Sequence, residues 1–301
     1  MNETRVYAPS GIRLACGFDI PEWETFRAAP DGTEDVQIAL VEAHPGLPAS
    51  SCVLAEGRDL WLVISGFATF HVEDGRRITI FPEPSVPDSQ WRPFLLGTAW
   101  NALCLQRDVL LLHASVVARD GIALAFCGPS GAGKSSMAAT LLPDGYRLVC
   151  DDLCRVDPAP VARVHPSTPR LRLWREMLAQ TGAVPEDLSR VLDGRDKFLL
   201  PVAGTGMMPV PLHAVFLLEW GEPDVRRICG LDALTRLVRE ATFRPELVDA
   251  MGLSGRHWEH CLTLLRTVDV YVLRRPRDIG RLDVAPALIR QVISASRTAG
   301  M

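Results

Sequence analysis

The rhythm of apolar positions changes once along this chain. Up to about residue 92 the apolar residues come in short, β-branched runs. The stretch "DLWLVISGFATFHVEDGRRITIFP" carries one on either side of Asp74-Gly75, a dipeptide that favours a tight hairpin turn. A small sheet is predicted there. "FPEPSVPDSQ" (Phe81 to Gln90) then places three prolines in ten residues, which interrupts regular structure and predicts a loop near a domain boundary. From "FLLGTAWNALCLQRD" onward the spacing turns helical, with Leu95, Ala99 and Leu103 in one row.

Beyond that helix, strands and helices are mixed. "VLLLHASVVA" and "GIALAFCG" read as two strands joined by a turn, "KSSMAATLL" as a helix stopped at Pro143, and "YRLVCDD", "LHAVFLLEW" and "VDVYVLRRP" as further strands. Helices are predicted at "LDALTRLVREAT", "HWEHCLTLLRTV" and "APALIRQVISAS". The pattern predicts an α/β, or mixed α+β, fold with helices covering a central sheet. A β-rich N-terminal domain is expected over residues 1–92 and a second domain over 93–301.

Composition narrows the function classes. A formal net charge of −4 argues against a nucleic-acid-binding surface as the main function. No apolar run reaches the ~20 residues of a membrane span. The opening "MNETRVYAPSG" has neither the basic region nor the apolar core of a signal peptide, so a cytoplasmic protein with no membrane partner is expected. The eight cysteines are scattered, several within apolar stretches, and are expected as free, buried thiols. Cys150 and Cys154 lack the second pair that a structural zinc site needs.

The stretch "GPSGAGKSS" changes the picture most. Gly128 to Ser135 satisfies G-x-x-x-x-G-K-[ST] after an apolar strand and before a helix, the context in which this pattern forms a phosphate-binding loop. Gly128, Gly131 and Gly133 permit conformations that let successive N–H groups face phosphate oxygens. Ser130, Ala132 and Ser136 complete the run that would surround the phosphates. Lys134 adds a full charge at the start of the helix, and the Ser135 hydroxyl is a candidate Mg²⁺ ligand.

Seventeen residues after Lys134 come Asp151 and Asp152, at the end of "YRLVCDD". That strand is expected beside the one feeding the loop, which would bring its carboxylates to the phosphates. Adjacent residues of a regular strand point to opposite faces, so the two should serve different purposes: metal ligand and base for an attacking hydroxyl. His113, one strand earlier in "LLLHASVV", reads equally well as a core residue or as a partner orienting one aspartate.

The run "LLHASVV…GIALAFCGPSGAGKSSMAATLLPDGYRLVCDDLCRVD" resembles the catalytic core of the HPr kinase/phosphorylase family, where a histidine, a phosphate loop and an Asp-Asp pair occur in this order. "PSTPRLRLW", "GRDKFLLP" and "VYVLRRPRD" extend a softer similarity to the HPr kinase-like proteins of peptide-tailoring gene clusters, including lasso peptide kinases. The resemblance implies a P-loop kinase domain of HPr kinase type using ATP and Mg²⁺. Lys134 would then serve the β- and γ-phosphates, Ser135 and Asp151 the metal, and Asp152 would act as base assisted by His113, with exchange of the two aspartates left open. Lys197, or the neighbouring Arg195, matches a basic residue that would stabilise the transferred group; a solvated lysine is the other reading. The "RG-x-G" type segment tied to the reverse, phosphorolytic reaction is missing, and the N-terminal segment differs from the regulatory domain of the bifunctional enzymes. HPr is therefore not the expected substrate.

The remaining features are read conservatively. His257 and His260 of "HWEH" are expected on a half-exposed helix surface, and Arg274, Arg275 and Arg277 at a solvated strand end. The tryptophans, among them Trp91, Trp100, Trp174 and Trp258, are too dispersed for a stacking platform and read as core or boundary residues. The function expected is an ATP-dependent kinase acting on a Ser or Thr hydroxyl of a peptide or small protein, with a ribosomal precursor peptide as the partner; a homo-oligomer is compatible with this. A small-molecule kinase and a nucleotide-binding regulator are the rivals.

Overall fold

The computed structural model describes residues 4–42, 46–48 and 50–299. In its N-terminal part, Leu60, Leu62, Phe70, Val72, Ile78 and Ile80 are buried at every second position, as a sheet with one packed face requires. Eight strands form it: β1 (Arg5–Tyr7), β2 (Leu14–Cys16), β3 (Arg27–Ala28), β4 (Val36–Leu40), β5 (Cys52–Glu56), β6 (Asp59–Ile64), β7 (Ala68–Glu73) and β8 (Arg77–Pro82). Their order is β3-β1-β2-β4-β8-β7-β6-β5. The predicted hairpin joins β7 to β8, with Asp74 and Gly75 both left-handed at φ 52° and 66°. The proline-rich loop is shorter than expected, because β8 runs through Pro82 and helix α1 (Asp88–Phe94) starts within the stretch. A π-turn at Leu95–Ala99 leads into α2 (Trp100–Gln106). Trp91, Leu95, Ala99 and Leu103 pack into the core of this sheet, and so do Leu111 and Leu153 from the strands that follow.

The second sheet is mixed. It contains β9 (Leu110–Arg119), β10 (Ile122–Cys127), β11 (Arg147–Asp157), β12 (Arg163–Val164), β15 (Val210–Trp220), β16 (Asp224–Ile228) and β17 (Asp269–Arg275). Between β12 and β15 lie β13 (Arg170–Trp174), α4 (Arg175–Leu178) and β14 (Lys197–Pro201), the two strands pairing as a separate ribbon. β10, β15 and β17 are parallel neighbours, and β9 runs antiparallel between β10 and β11. Helices α3 (Lys134–Leu141) and α8 (Val284–Ala299) cover one face. The other face is covered by α5 (Gly230–Ala241) and α7 (Ser254–Leu264), with α6 (Pro245–Ala250) between them in the chain. The fold class is thus mixed α+β with a β-rich N-terminal part.

Two expectations about the aspartate strand are corrected. β11 is not beside the loop-feeding strand β10, since β9 is inserted between them. Nor does it end at the aspartates: it continues to Asp157 because Leu153, Cys154 and Val156 are buried and keep pairing with β9. All eight cysteines are free, but Cys229 is exposed and Cys52 half-buried. Trp91 and Trp100 are core residues, whereas Trp174 and Trp258 are surface residues, 51% and 38% exposed. His257 is buried against the Thr242 hydroxyl at 2.6 Å rather than half-exposed. Among the described residues no helix is long and apolar enough to cross a membrane.

Candidate active site at the phosphate loop

The loop leaves β10 at Cys127 and enters α3 at Lys134. Gly128, Gly131 and Gly133 have φ of +148°, +83° and +80°, which side chains rarely adopt. A Cβ on Gly128 would stand 3.0 Å from the Cβ of Ala132, and one on Gly133 only 2.5 Å from Nη2 of Arg275. At both glycines an added Cβ would displace a neighbour, in addition to the conformational demand. The Met137 N–H bonds to the Gly133 carbonyl at 2.8 Å, so the N–H groups of Lys134, Ser135 and Ser136 precede the helical ladder and are free for an anion. Ser130 and Gly131 are exposed at the loop's tip, and Ala132 is buried beneath it. Lys134 is buried, with Nζ donating to the carbonyls of Gly128 (2.9 Å) and Pro129 (3.2 Å). Burial lowers its pKa, against the pull of Asp152 and Asp151 among other groups.

The inserted strand β9 explains how the aspartates still reach the loop. The Ser135 hydroxyl donates to both carboxylate oxygens of Asp151, at 2.9 and 3.1 Å, and Ser115 of β9 donates to the same carboxylate. The Arg172 backbone N–H adds a third donor at 2.9 Å. Ser135 and Asp151 are hard oxygen donors held together, a set that suits Mg²⁺, which takes one or two protein ligands beside substrate phosphates.

Asp152 goes elsewhere, and not through simple alternation. The β9–β11 register shifts between Leu148 and Cys150, and Asp152 itself has φ +79°, so the strand is irregular where regularity was assumed. Aspartate is among the few residues that tolerate this region. Its carboxylate is ion-paired to the Arg172 guanidinium and lies 3.5 Å from Nε2 of His113, whose ring meets the edge of Phe243. Burial pushes the Asp152 carboxyl upward, but the Arg172 charge and the His113 contact outweigh it and hold the group well below the usual carboxylate range.

The β13–β14 ribbon brings cations that sequence reasoning only half found. Lys197 pairs across the ribbon with Trp174, its Nζ 5.8 Å from that ring's centre. Burial lowers its pKa while Asp151 and Asp152 oppose the shift, placing it within their field. Arg195 is exposed. Arg172 and Ser115 were missed; the polar–apolar alternation of "RLRLW" was the available signal for a strand that turns Arg172 and Arg170 to one side. Arg275 departs furthest from expectation. It is 8% exposed, donates to the Ala132 carbonyl and stacks 4.1 Å over the ring of Trp220, so it braces the loop instead of ending a strand in solvent. Arg274 pairs with Glu219 at 3.0 Å.

A recess of about 80 Å³ opens beside the two aspartates. Its wall combines Asp151, Asp152 and Arg172 with Ser10, Trp23 and Trp100, the last two in edge contact at 4.9 Å. The N-terminal part thus faces the carboxylates directly. The Thr168 hydroxyl donates to the Glu22 carbonyl, and Arg155 to that of Ser10, tying the wall to the core.

No protein family's sequence profile matches the chain, and no curated protein does. Among solved structures, the HPr(Ser) kinase/phosphatase from Coxiella burnetii is similar, with 14% identity over 64% of this chain and 94% of that one and a TM-score of 0.36.

Proposed function

We propose that this chain is an ATP-dependent kinase that transfers the γ-phosphoryl group to a Ser or Thr hydroxyl of a peptide or small protein. One observation carries the reading: β11 delivers Asp151 to Ser135 of the phosphate loop and Asp152 to His113 and Arg172, on the wall of a recess large enough for a group of a few heavy atoms. The loop's N–H groups and Lys134 bind the triphosphate, and Ser135 with Asp151 would hold Mg²⁺, which when bound neutralises charge on the phosphate oxygens. An acceptor hydroxyl in the recess lies against Asp152. As its oxygen bonds to the γ-phosphorus, the bond from phosphorus to the bridging oxygen breaks, and ADP leaves with that electron pair. The acceptor proton passes to Asp152. A carboxylate held firmly ionised is a weak base, which suits a loose transition state in which the hydroxyl becomes acidic as the new bond forms. Lys197 and Arg172 offset charge on the moving group, and His113 orients the carboxylate.

The resemblance to kinases of peptide-tailoring clusters makes a precursor peptide encoded beside this chain the first acceptor to test. The size of the recess favours one side chain over a broad protein surface, and admits a small alcohol as the second reading. Incubation with Mg-ATP and that peptide should release ADP only in the acceptor's presence and add one phosphoryl mass, lost in the Ser→Ala peptide. Phosphorylation of HPr with none of the peptide would overturn the substrate, and ADP release unaffected by any hydroxyl compound would leave a nucleotide-binding regulator.

A further inference from the structure

The phosphate loop has a second recess on its other flank, of about 770 Å³, bounded by Pro129–Ala132, the end of β15 and Arg277. Its volume is in the range that holds a nucleotide-sized ligand. Trp220 lines it and is 40% exposed, so much of the indole is open to the recess. One face of its ring is covered by Arg275, which is itself locked to the Ala132 carbonyl, so the indole is held rigidly relative to the loop. Arg277 lies 6.0 Å from the same ring and makes no ion pair or hydrogen bond with another described residue. The other charged groups here are engaged with one another: Arg236 binds Glu219 at 2.6 Å and Glu240 at 3.0 Å. Arg239 pairs with Glu240 at 2.7 Å, so among the described residues lining the recess the aromatic surface of Trp220 and the unpaired Arg277 are what face a ligand.

Resting on the reading that the loop binds a nucleoside triphosphate, we infer that the nucleoside lies in this second recess, its base stacked on Trp220 with Arg277 beside it. A fixed indole next to a phosphate site fits a planar heterocycle joined to a phosphate chain, and a guanidinium adds a cation–π or phosphate contact. Arg275 acts as a positioning residue, since it holds Trp220 and the loop in register.

Calorimetric titration with two probes tests this: Mg-ATP, and Mg-tripolyphosphate, which has the phosphates without the nucleoside. Trp220→Ala should weaken ATP binding roughly tenfold or more, the usual loss for a stacked base, and leave tripolyphosphate binding unchanged. Trp220→Phe should keep most of the ATP affinity, and Arg277→Ala should lose affinity for ATP. Equal weakening of both probes in Trp220→Ala, or of neither, would overturn the inference while leaving the loop assignment standing. Failure of the wild-type protein to bind either probe, or unchanged binding of both in Lys134→Ala, would overturn the phosphate-loop reading and the inference with it.

Discussion

Replacing Arg172 by methionine should separate the two aspartates. The side chain is lost to Asp152, but the backbone N–H that serves Asp151 at 2.9 Å is kept, and methionine preserves much of the apolar stem. Breaking one side of a buried ion pair costs about 3–5 kcal/mol, and of an exposed pair about 0–1. With side chains 19% and 24% exposed, Asp152 and Arg172 fall between, at about 2 kcal/mol at neutral pH. The sign follows from the depressed folded-state pKa of Asp152. Its contribution is complete above the ordinary value of 3.8 and is lost as the pH falls below it. In Arg172→Met the carboxyl titrates at higher pH and becomes neutral sooner, so the deficit against wild type should shrink as the medium is acidified. Urea denaturation from pH 7 down to about pH 2.5, a range that extends below the ordinary carboxyl value, measures it, alongside phosphoryl transfer and nucleotide affinity at neutral pH. The reasoning is refuted if the deficit is constant across that range, or if nucleotide affinity falls as far as turnover does.

Asp151→Asn should weaken Mg²⁺-dependent nucleotide binding as well as turnover, whereas Asp152→Asn should keep nucleotide affinity and lose on the order of 10²–10⁴ in rate; equal affinity losses in both would end that division. Gly133→Ala puts a Cβ 2.5 Å from Arg275 at a residue with φ +80°, and should abolish ATP binding while the thermal transition remains cooperative. The folded-state pKa values of His257 and His165 are lowered by burial, so the stability they contribute is complete above their ordinary 6.5 and is lost as the pH falls. The melting temperature should drop on acidification from pH 7 to pH 5.5, and less so in His257→Gln.

The loop's conformation is legible in the sequence because its residues are contiguous: glycines, lysine and serine stand at fixed offsets between a strand and a helix. The pairing of Asp151 with Ser135 was foreseen in outcome but not in route, since no local pattern says that β9 will enter between β10 and β11. Regular alternation predicts that the two carboxylates point apart; the structure sends them to different partners instead through a left-handed aspartate and a register shift. Arg172 and Lys197 lie on a ribbon whose strands are separated by more than twenty residues, and their approach to the aspartates depends on tertiary packing. Arg275 reads as solvated in sequence because it is one of three arginines clustered at Arg274, Arg275 and Arg277 near the end of a strand. Its company, Trp220 and the loop, comes from the parallel neighbour strand β15 and from the turn after β10.

The two recesses share no lining residue, and the phosphate loop stands between the strands that border them. For the proposed kinase this has a kinetic meaning. Neither substrate would obstruct the other's entry, so donor and acceptor should load in either order before any bond changes, and a ternary complex must form. Initial-rate measurements over a grid of both concentrations should give intersecting double-reciprocal lines. A parallel set would mean instead that the phosphoryl group rests on the protein between two separate visits.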